Sequence, residues 1–265
     1  MYSAAQLFFK YLRYRIMALN GKGHGAHSPF VYAFIKNLLN DQRSFYAYQQ
    51  VELLRQQMRS NQQSIAVEDY GAGSRVHAFN TRKVAAIASS SLKPKKFGQL
   101  LFRMVAHFKP NTVLELGTSL GITTAYMALA NPTAKIWSME GANAIADIAE
   151  ANFKQLSIDN VELVRGNFDN TLQPLLDSIE QLDFVFVDGN HRYAPTMHYF
   201  QLLKPKMRAH SILIFDDIHW SKEMEAAWGD IKQDASISLT IDLFFIGIVF
   251  FRKEQLVKQE FTILF

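Results

Sequence analysis

Apolar residues recur along this chain at two different spacings, and the change between them falls near Thr112. Before that point, apolar positions three and four residues apart are typical of amphipathic helices. Helices are predicted there over residues 3–19, from Pro29 to about Leu39, over 46–60 and over 97–108. Ser28, directly before Pro29, is the expected N-cap of the second of these helices. The first part of the chain is therefore predicted to be largely helical.

From Thr112 onward, short apolar runs alternate with helix-like segments. The runs, each predicted as a strand, cover residues 112–116, 135–139, 161–164, 183–187 and 211–215. The end differs, because residues 237–252 are strand-like with a break near Asp242, and a further strand is predicted over 261–265. This alternation predicts an α/β fold with a mostly parallel sheet, closed by an antiparallel hairpin. The predicted domains are a helical extension with its connecting segment over 1–96 and an α/β core over 97–265.

Composition narrows the setting of the protein. The chain has 265 residues, 49% of them hydrophobic, which is enough for one large domain. It has no cysteine, which excludes a disulfide framework and a thiolate metal site. No apolar run reaches the roughly 18 residues of a membrane-spanning helix, and Lys10, Arg13 and Arg15 interrupt the region where a signal peptide would be continuously apolar. We therefore expect a cytoplasmic protein.

Charge is distributed unevenly along the chain. Residues 1–114 hold 16 Lys/Arg and 4 Asp/Glu, a net charge of +12, and residues 115–265 hold 12 and 20, a net charge of −8. A basic half indicates an anionic partner, such as RNA, an acidic lipid surface or a phosphorylated substrate. The alternative is that the basic part packs on the acidic part, in the same chain or across a homodimer.

Two glycine-containing stretches have the sequence of a nucleotide-binding loop, VEDYGAGSR at 67–75 and VLELGTSLG at 113–121. Such a loop needs a strand before it, a helix directly after it, and an acidic residue about 20 positions further on for ribose hydroxyls. The second stretch meets all three conditions, with Glu140 lying 19 residues after Gly121. The first stretch has no carboxylate behind it from residue 70 through 114. It is interpreted as a turn, with the alternative that Asp69 and Arg75 line a substrate pocket.

Four segments in order carry a family resemblance: VLELGTSLGITTAYMA, IWSME, VRGNF and LDFVFVDGNHRY. Together they resemble the motifs of class I S-adenosylmethionine-dependent methyltransferases, in the small-molecule O-methyltransferase branch of catechol and macrolide-sugar type. The helix FGQLLFRMV also resembles the one before the core in that branch, so the resemblance covers about residues 95–265. It implies a Rossmann-like seven-stranded sheet, mostly parallel, with an antiparallel strand near the C-terminus. The implied cofactor is S-adenosylmethionine, and the implied acceptor is a small molecule.

The resemblance also assigns residues to the cofactor. Glu140 is the expected ribose ligand, and Asn167 and Phe168 are expected to flank the adenine. The full set of predicted cofactor contacts is Glu115, Gly117, Thr118, Ser119, Gly121, Glu140, Asn167, Phe168 and Asp188.

The stretches DGNH at 188–191 and FDDIHW at 215–220 follow adjacent predicted strands. Three carboxylates there, Asp188, Asp216 and Asp217, suit a hard divalent cation such as Mg²⁺. Metal-dependent relatives place ligands at the matching positions, and in the macrolide-sugar type a histidine three residues after the first ligand is the base, which implies His191. The alternatives are that Asp188 only holds the methionine end of the cofactor and that Asp216 or Asp217 caps the helix beginning near Ser221.

Two further features leave alternatives open. The loop KGHGAHSPF carries His24 and His27 near Lys22, which either bind an anionic acceptor or belong to a glycine turn and helix cap. The net charge of +12 on residues 1–114 indicates an alternative function, RNA methylation. The first helix, with Lys10, Arg13 and Arg15 between aromatic residues, raises a third, a non-enzymatic role at an acidic membrane or on a partner.

Overall fold

The computed structural model describes residues 1–23, 27–68, 79–254 and 257–265. The stretch from Asp69 through Arg75, and His24, lie outside the described residues. The chain divides into two compact units, which we call unit 1 (Met1–Asp41 with Ile179–Phe265) and unit 2 (Gln42–Ser178). The predicted domain boundary at 96/97 stays a prediction.

The α-helices, in chain order, are α1 (Ala4–Met17), α2 (Pro29–Phe34), α3 (Tyr46–Ser60), α4 (Val84–Ser91), α5 (Lys95–Phe108), α6 (Ile122–Ala130), α7 (Asn143–Gln155), α8 (Phe168–Asp177), α9 (Tyr193–Leu203) and α10 (Lys222–Gln233). The strands are β1 (Ser64–Glu68), β2 (Phe79–Lys83), β3 (Thr112–Leu116), β4 (Lys135–Glu140), β5 (Val161–Arg165), β6 (Leu182–Val187), β7 (Met207–Asp216), β8 (Leu239–Asp242), β9 (Ile246–Phe250) and β10 (Gln259–Thr262). A π-helical turn, Ile35–Leu39, continues α2, and a 3₁₀ turn, Lys204–Lys206, follows α9. None of the described helices is both long and apolar enough to cross a membrane.

The described residues of unit 1 hold five sheet strands in the order β10-β8-β9-β7-β6. Strands β6 and β7 are parallel, with Val187 opposite Phe215, so both strands end at the same edge. Strand β9 runs antiparallel to both β7 and β8, and β10 runs parallel to β8. The predicted antiparallel hairpin is therefore confirmed, and β10 (Gln259–Thr262) overlaps the further strand predicted over 261–265.

Helix α1 is held on unit 1 by its polar and aromatic contacts. Ser3 caps it, accepting a hydrogen bond from the Gln6 backbone. The buried Tyr14 hydroxyl donates to the Ile263 carbonyl and accepts from the Phe265 backbone N–H at 3.0 Å. Just after the helix, the Leu19 N–H donates to the Thr262 carbonyl at 2.8 Å. The first helix is thus tied to the last residues of the same unit.

Unit 2 contains the parallel strands β3-β4-β5 and a separate antiparallel pair, β1 with β2. Helix α6 packs on α3 and α5. The buried Tyr126 of α6 donates its hydroxyl to Glu52 of α3 at 2.8 Å. This hydrogen bond joins α6 to α3, and Arg55 of α3 pairs with the same carboxylate at 2.9 Å.

The α/β fold predicted from the sequence, mostly parallel with an antiparallel strand near the C-terminus and helices before it, is confirmed. Strands β3 to β7 begin and end within a few residues of the predicted runs. The apolar spacing is less regular over 61–96 and predicts no element there, but the described part of this segment contains β1, β2 and α4. A run of serines such as Ser89, Ser90 and Ser91 predicts a loop. That prediction is wrong, because the three residues end α4, where Ser89 and Ser90 donate their hydroxyls to carbonyls one turn earlier.

Candidate active site

The loop from Gly117 to Gly121 joins β3 to α6 in unit 2. Gly117 has φ +106° and Gly121 φ +77°, conformations that favour glycine because it has no Cβ. Gly121 precedes α6 directly, and a Cβ built on it would lie 2.6 Å from Cε1 of Phe153. Glycine at this position therefore allows the loop to pack directly on α7.

The loop is fixed by the C-terminal end of β4. The Gly117 and Thr118 N–H groups both donate to the Met139 carbonyl at 3.0 Å. The Glu140 carboxylate accepts from the Ser119 N–H at 2.8 Å and from the Ala142 N–H at 2.9 Å. Glu140, the last residue of β4, therefore fixes the loop between β3 and α6.

The electrostatic state of Glu140 follows from these contacts. Burial raises its pKa, and the backbone N–H groups that hydrogen-bond the charged form oppose this effect without cancelling it. Each carboxylate oxygen has a second lone pair, so both oxygens can also accept hydrogen bonds from a ligand. This arrangement is compatible with the predicted contact to a ribose diol.

A buried network of polar side chains lies beneath the loop. Thr118 and Ser138 share a hydrogen bond of 2.6 Å, and Ser138 donates to Glu115 at 2.6 Å. Thr124 of α6 also donates to Glu115, which is fully buried. Glu115 therefore links β3, β4 and α6. Ser138 and Thr124 are not among the predicted site residues, and the signal for them is a hydroxyl residue within an otherwise apolar strand or helix.

The turn after β5 lies next to Glu140. Arg165 is opposite Glu140 in the parallel pair of β4 and β5, and the Gly166 N–H donates to the Glu140 carbonyl at 2.9 Å. Asn167 caps α8, with its side chain accepting from the Asp169 N–H at 3.0 Å. Phe168 is the first residue of α8 and is half-buried. The structure thus brings the turn that carries Asn167 and Phe168 beside the end of β4.

In unit 1, acidic side chains gather where β6 and β7 end. Asp188 follows β6, and Asp216 is the last residue of β7 and only 1% exposed. One ligand atom from each of Asp188, His191 and Asp216 lies within 4.8 Å of the other two. His191 Nε2 is 3.5 Å from Asp188 Oδ1 and 4.0 Å from Asp217 Oδ2. The structure therefore brings together all four residues predicted for the cation and the base.

The alternative that Asp216 or Asp217 caps α10 is not what the structure shows. Ser221 caps this helix, with its hydroxyl accepting from the Met224 N–H at 3.1 Å. Asp217 instead adopts φ +52° in the turn after β7, and its carbonyl accepts from the Trp220 N–H at 2.9 Å.

His219 has polar partners in addition to its aromatic packing. Its ring stacks on Phe244, while its nitrogens lie 3.0 Å from Glu225 and 2.8 Å from Asp242. Burial lowers the pKa of His219, but the two carboxylates outweigh burial and raise it overall. Lys10 of α1 completes this network, with its ammonium 2.9 Å from Glu225.

Glu225 also accepts from the Tyr2 hydroxyl at 2.6 Å. Burial raises the pKa of Glu225, but hydrogen bonds from Tyr2, Lys10 and His219 outweigh burial and lower it overall. This network is not predictable from the sequence, because its members lie far apart in the chain. In the glycine loop near the N-terminus, His27 is exposed and Ser28 caps α2 as expected.

Known proteins resemble part or most of this chain. Residues 114–218 match the family Methyltransf_24, a methyltransferase domain. An uncharacterized protein of Acanthamoeba polyphaga mimivirus is 26% identical over 176 residues, which cover 58% of this chain and 78% of that protein.

Solved structures share the fold at low sequence identity. An S-adenosylhomocysteine-bound methyltransferase from Podospora anserina superposes with a TM-score of 0.60 at 16% identity, covering 86% of this chain and 97% of that one. An O-methyltransferase from Bacillus cereus in complex with S-adenosylhomocysteine gives 0.57 at 17%, covering 83% and 96%. The O-methyltransferase TomG from Streptomyces achromogenes, in complex with S-adenosylmethionine, gives 0.53 at 18%, covering 61% and 82%. Residues 114–218 of this chain thus match a methyltransferase domain, in agreement with the class I methyltransferase predicted from the sequence.

Proposed function

We propose that this protein transfers the methyl group of S-adenosylmethionine to a hydroxyl oxygen of a small-molecule acceptor, with a divalent cation assisting. Several structures with this fold are O-methyltransferases that hold S-adenosylmethionine or its demethylated product. The observation that carries the choice of a hydroxyl acceptor is the group formed by Asp188, His191 and Asp216. Hydroxyl methylation needs a proton acceptor, a cation or both, and this group offers both.

The residues of unit 2 fit the cofactor. Ser119 Oγ is buried and makes no hydrogen bond within the described part of the chain, so it is available to a polar group of a ligand. Glu140 is assigned to the ribose diol, and the Gly117 and Gly121 backbone, without side chains, suits close approach of the amino-acid end. Asn167 and Phe168 are assigned to the adenine, and Glu115 and Thr118 keep the loop in shape through their buried hydrogen bonds.

The residues of unit 1 fit a divalent cation. Oxygen ligands on opposite sides of such an ion lie about 4–5 Å apart, which the 4.8 Å limit of this group satisfies. Asp188 and Asp216 would hold the ion, and Asp217 at the same turn is the third predicted ligand. When bound there, Mg²⁺ would lower the pKa of an acceptor hydroxyl.

The chain's own residues then have distinct tasks. Asp188, whose Oδ1 lies 3.5 Å from Nε2 of His191, orients the imidazole. His191 accepts the hydroxyl proton as the new bond between oxygen and the methyl carbon forms and the bond between sulfur and that carbon breaks. The products are a methyl ether, S-adenosylhomocysteine and a proton held on His191. In-line displacement of this kind depends mainly on alignment of donor and acceptor.

Several finer assignments stay predictions. An anionic acceptor and a homodimer rest on the uneven charge of the sequence, and a cytoplasmic location rests on the absence of cysteine. RNA methylation is the alternative function, and RNA affinity that falls steeply with added salt would support it.

The experiment measures S-adenosylhomocysteine release with a panel of catechol and sugar hydroxyl acceptors, with and without a metal chelator. We expect Asp188→Asn and Asp216→Asn to lose Mg²⁺ affinity in calorimetry, and Asp216→Asn, which has no predicted cofactor contact, to keep S-adenosylhomocysteine affinity. We expect His191→Ala to lower kcat by about 10²–10⁴-fold with cofactor affinity unchanged. Asp159→Asn, at an exposed loop position, is the matched control and should behave as the native chain.

The outcomes separate the parts of the proposal. If a chelator leaves turnover unchanged and both aspartate variants keep native Mg²⁺ affinity, the proposed role of the cation is refuted. Native kcat in His191→Ala would remove the base. Methyl transfer to RNA without transfer to any hydroxyl acceptor of the panel would replace the proposed function by its alternative.

A further inference from the structure

Helix α1 has one face bound to unit 1 and one face in solvent. The bound face carries Tyr11 and Tyr14, whose rings lie 5.1 and 5.3 Å from that of Phe244, and Lys10, which pairs with Glu225. The opposite face carries four large apolar side chains that are well exposed: Phe8 at 62%, Phe9 at 67%, Leu12 at 44% and Ile16 at 75%. A soluble helix normally places such residues against its own core, so this face has the character of a binding surface.

The exposed residues form one continuous strip. With about 100° of rotation per residue, Phe8, Leu12, Ile16 and Phe9 fall within an arc of about 100°. Arg15 and Arg13 project from the two edges of this arc, one on each side. We call these six residues the exposed α1 face. An apolar strip with cationic borders is the arrangement found in helices that lie in the interface of a lipid bilayer.

The charge around this face has a single sign. The sequence has no Asp or Glu before Asp41, but it has five basic residues there: Lys10, Arg13, Arg15, Lys22 and Lys36. Within the described part of the chain, Lys10 pairs with Glu225, whereas neither Arg13 nor Arg15 has a carboxylate at ion-pair distance. Both guanidinium groups are therefore available to an anionic partner.

The dimensions and symmetry of the face decide between occupants. Helix α1 has 14 residues and is about 21 Å long, too short to cross a hydrocarbon core of about 30 Å. A second copy of this chain is a poor occupant, because two-fold pairing of the exposed α1 face would bring arginines of both copies together. An anionic bilayer has the phosphates for the two arginines and an apolar layer for the strip between them.

We propose that the exposed α1 face binds the surface of an anionic lipid bilayer, with Phe8, Phe9, Leu12 and Ile16 inserted below the headgroups. Arg13 and Arg15 contact lipid phosphates at the borders of the strip. Because Tyr14 and Lys10 hold the other face on unit 1, the helix is already formed and oriented before it meets the membrane. Binding through one short helix is weak and reversible, and it falls as salt screens the arginines. This inference does not depend on the proposed reaction.

The test is cosedimentation of the full chain with phosphatidylcholine vesicles and with mixed phosphatidylcholine–phosphatidylserine vesicles. We expect binding to the mixed vesicles only, reversed by salt. Phe8→Ser with Phe9→Ser should lower the partition coefficient at least about tenfold, because two aromatic side chains no longer enter the bilayer. The control is Leu53→Ser, which removes an apolar side chain, 59% exposed, from α3 and should leave binding unchanged.

The charge requirement has its own pair of variants. Arg13→Glu with Arg15→Glu should reduce binding by about tenfold or more, since each basic residue near an anionic surface contributes about fivefold. Arg59→Glu with Arg82→Glu changes the net charge equally at exposed positions elsewhere and should have little effect. All four variants change exposed residues, and an unchanged unfolding midpoint verifies that each is folded.

Three results would overturn the proposal. The first is native protein that does not sediment with anionic vesicles. The second is equal loss of binding in the α1 variants and in their controls. The third is a native dimer that the α1 variants convert to a monomer without any vesicle binding, which would assign the exposed α1 face to a second copy.

Discussion

Replacing Glu140 by glutamine changes two properties of the cofactor loop by amounts that the structure allows us to estimate. Glutamine keeps the shape of the side chain but replaces one acceptor oxygen by an amide NH₂. That NH₂ would then face either the Ser119 N–H or the Ala142 N–H, which now donate to the carboxylate at 2.8 and 2.9 Å. A hydrogen bond to a charged group contributes about 1.5–3 kcal/mol, so we expect a loss of about 2 kcal/mol in the free energy of unfolding.

The same substitution should reduce the free energy of cofactor binding more than it reduces the free energy of unfolding. If the carboxylate accepts both ribose hydroxyls, the neutral amide retains at most one of these bonds. The expected loss is about 2–3 kcal/mol of binding free energy, or a decrease of about 30–150-fold in S-adenosylhomocysteine affinity. Calorimetric titration with S-adenosylhomocysteine measures the second quantity, and urea unfolding of the free protein measures the first.

Binding to the native protein should also depend on pH in a defined direction. Burial raises the pKa of Glu140, and the ribose contact requires its charged form. Affinity for S-adenosylhomocysteine should therefore be full above this pKa and decrease as pH falls through it, in a window above the ordinary value near 4.3. The Glu140→Gln protein has no such group and should show a flatter profile.

Glu162→Gln is the matched control, because it makes the same chemical change on an exposed residue of β5. Glu162 pairs with Lys135 at 2.6 Å, and both side chains are about half exposed, so the expected loss of stability is below about 1 kcal/mol. Cofactor affinity should not change. A folded Glu140→Gln protein with native S-adenosylhomocysteine affinity would refute the assignment of Glu140 to the ribose.

Three further predictions concern stability, measured by urea unfolding. Gly121→Ala should lower the free energy of unfolding by about 2–4 kcal/mol, because alanine is strained at φ +77° and its Cβ would overlap the Phe153 ring at 2.6 Å. In a Phe153→Ala background only the backbone strain, about 1–2 kcal/mol, should remain. An equal loss in both backgrounds would contradict the overlap with Phe153. Glu225→Gln should lower the free energy of unfolding by about 1 kcal/mol at neutral pH. Since the folded-state pKa of Glu225 is lowered, the difference in stability from the native protein should be complete above about pH 4.3 and disappear as pH falls through the folded-state pKa. A difference in stability that persists in acid would argue against the carboxylate as its source. Tyr14→Phe should cost about 1–3 kcal/mol because two backbone groups of the C-terminal segment lose their partner, and native stability would show that water replaces the hydroxyl.

The local spacing of apolar residues was sufficient to predict the strands and helices that bury one continuous face. Strand β3 has the predicted bounds, and α3 likewise spans 46–60, because each has a clear apolar period. The break in the last apolar stretch near Asp242 was also predicted, and Asp242 accepts from the Phe244 N–H at 2.8 Å in that turn. In these segments the local preference and the tertiary packing agree.

Residues that act through distant partners were not predictable in the same way. Asp188 and Asp216 could be placed together because parallel strands end at one edge, and the structure places them so. Glu225, His219 and Asp242 form one network only because α10 and the β8–β9 turn meet in the fold, and nothing in their spacing indicates it. The pair β1 and β2 was missed because each strand is short and half polar, so its period was too weak to recognise.

The contacts between Tyr14 and the last residues have a consequence for biosynthesis. Unit 2 is a single continuous segment, so all the residues that pack together within it have left the ribosome soon after residue 178 is added. Unit 1 must wait, since the Tyr14 hydroxyl finds the Ile263 carbonyl 249 positions later in the chain. During translation α1 therefore emerges long before the residues on which it docks, and until residues 262–265 are added it is a free amphipathic peptide that chaperones can bind.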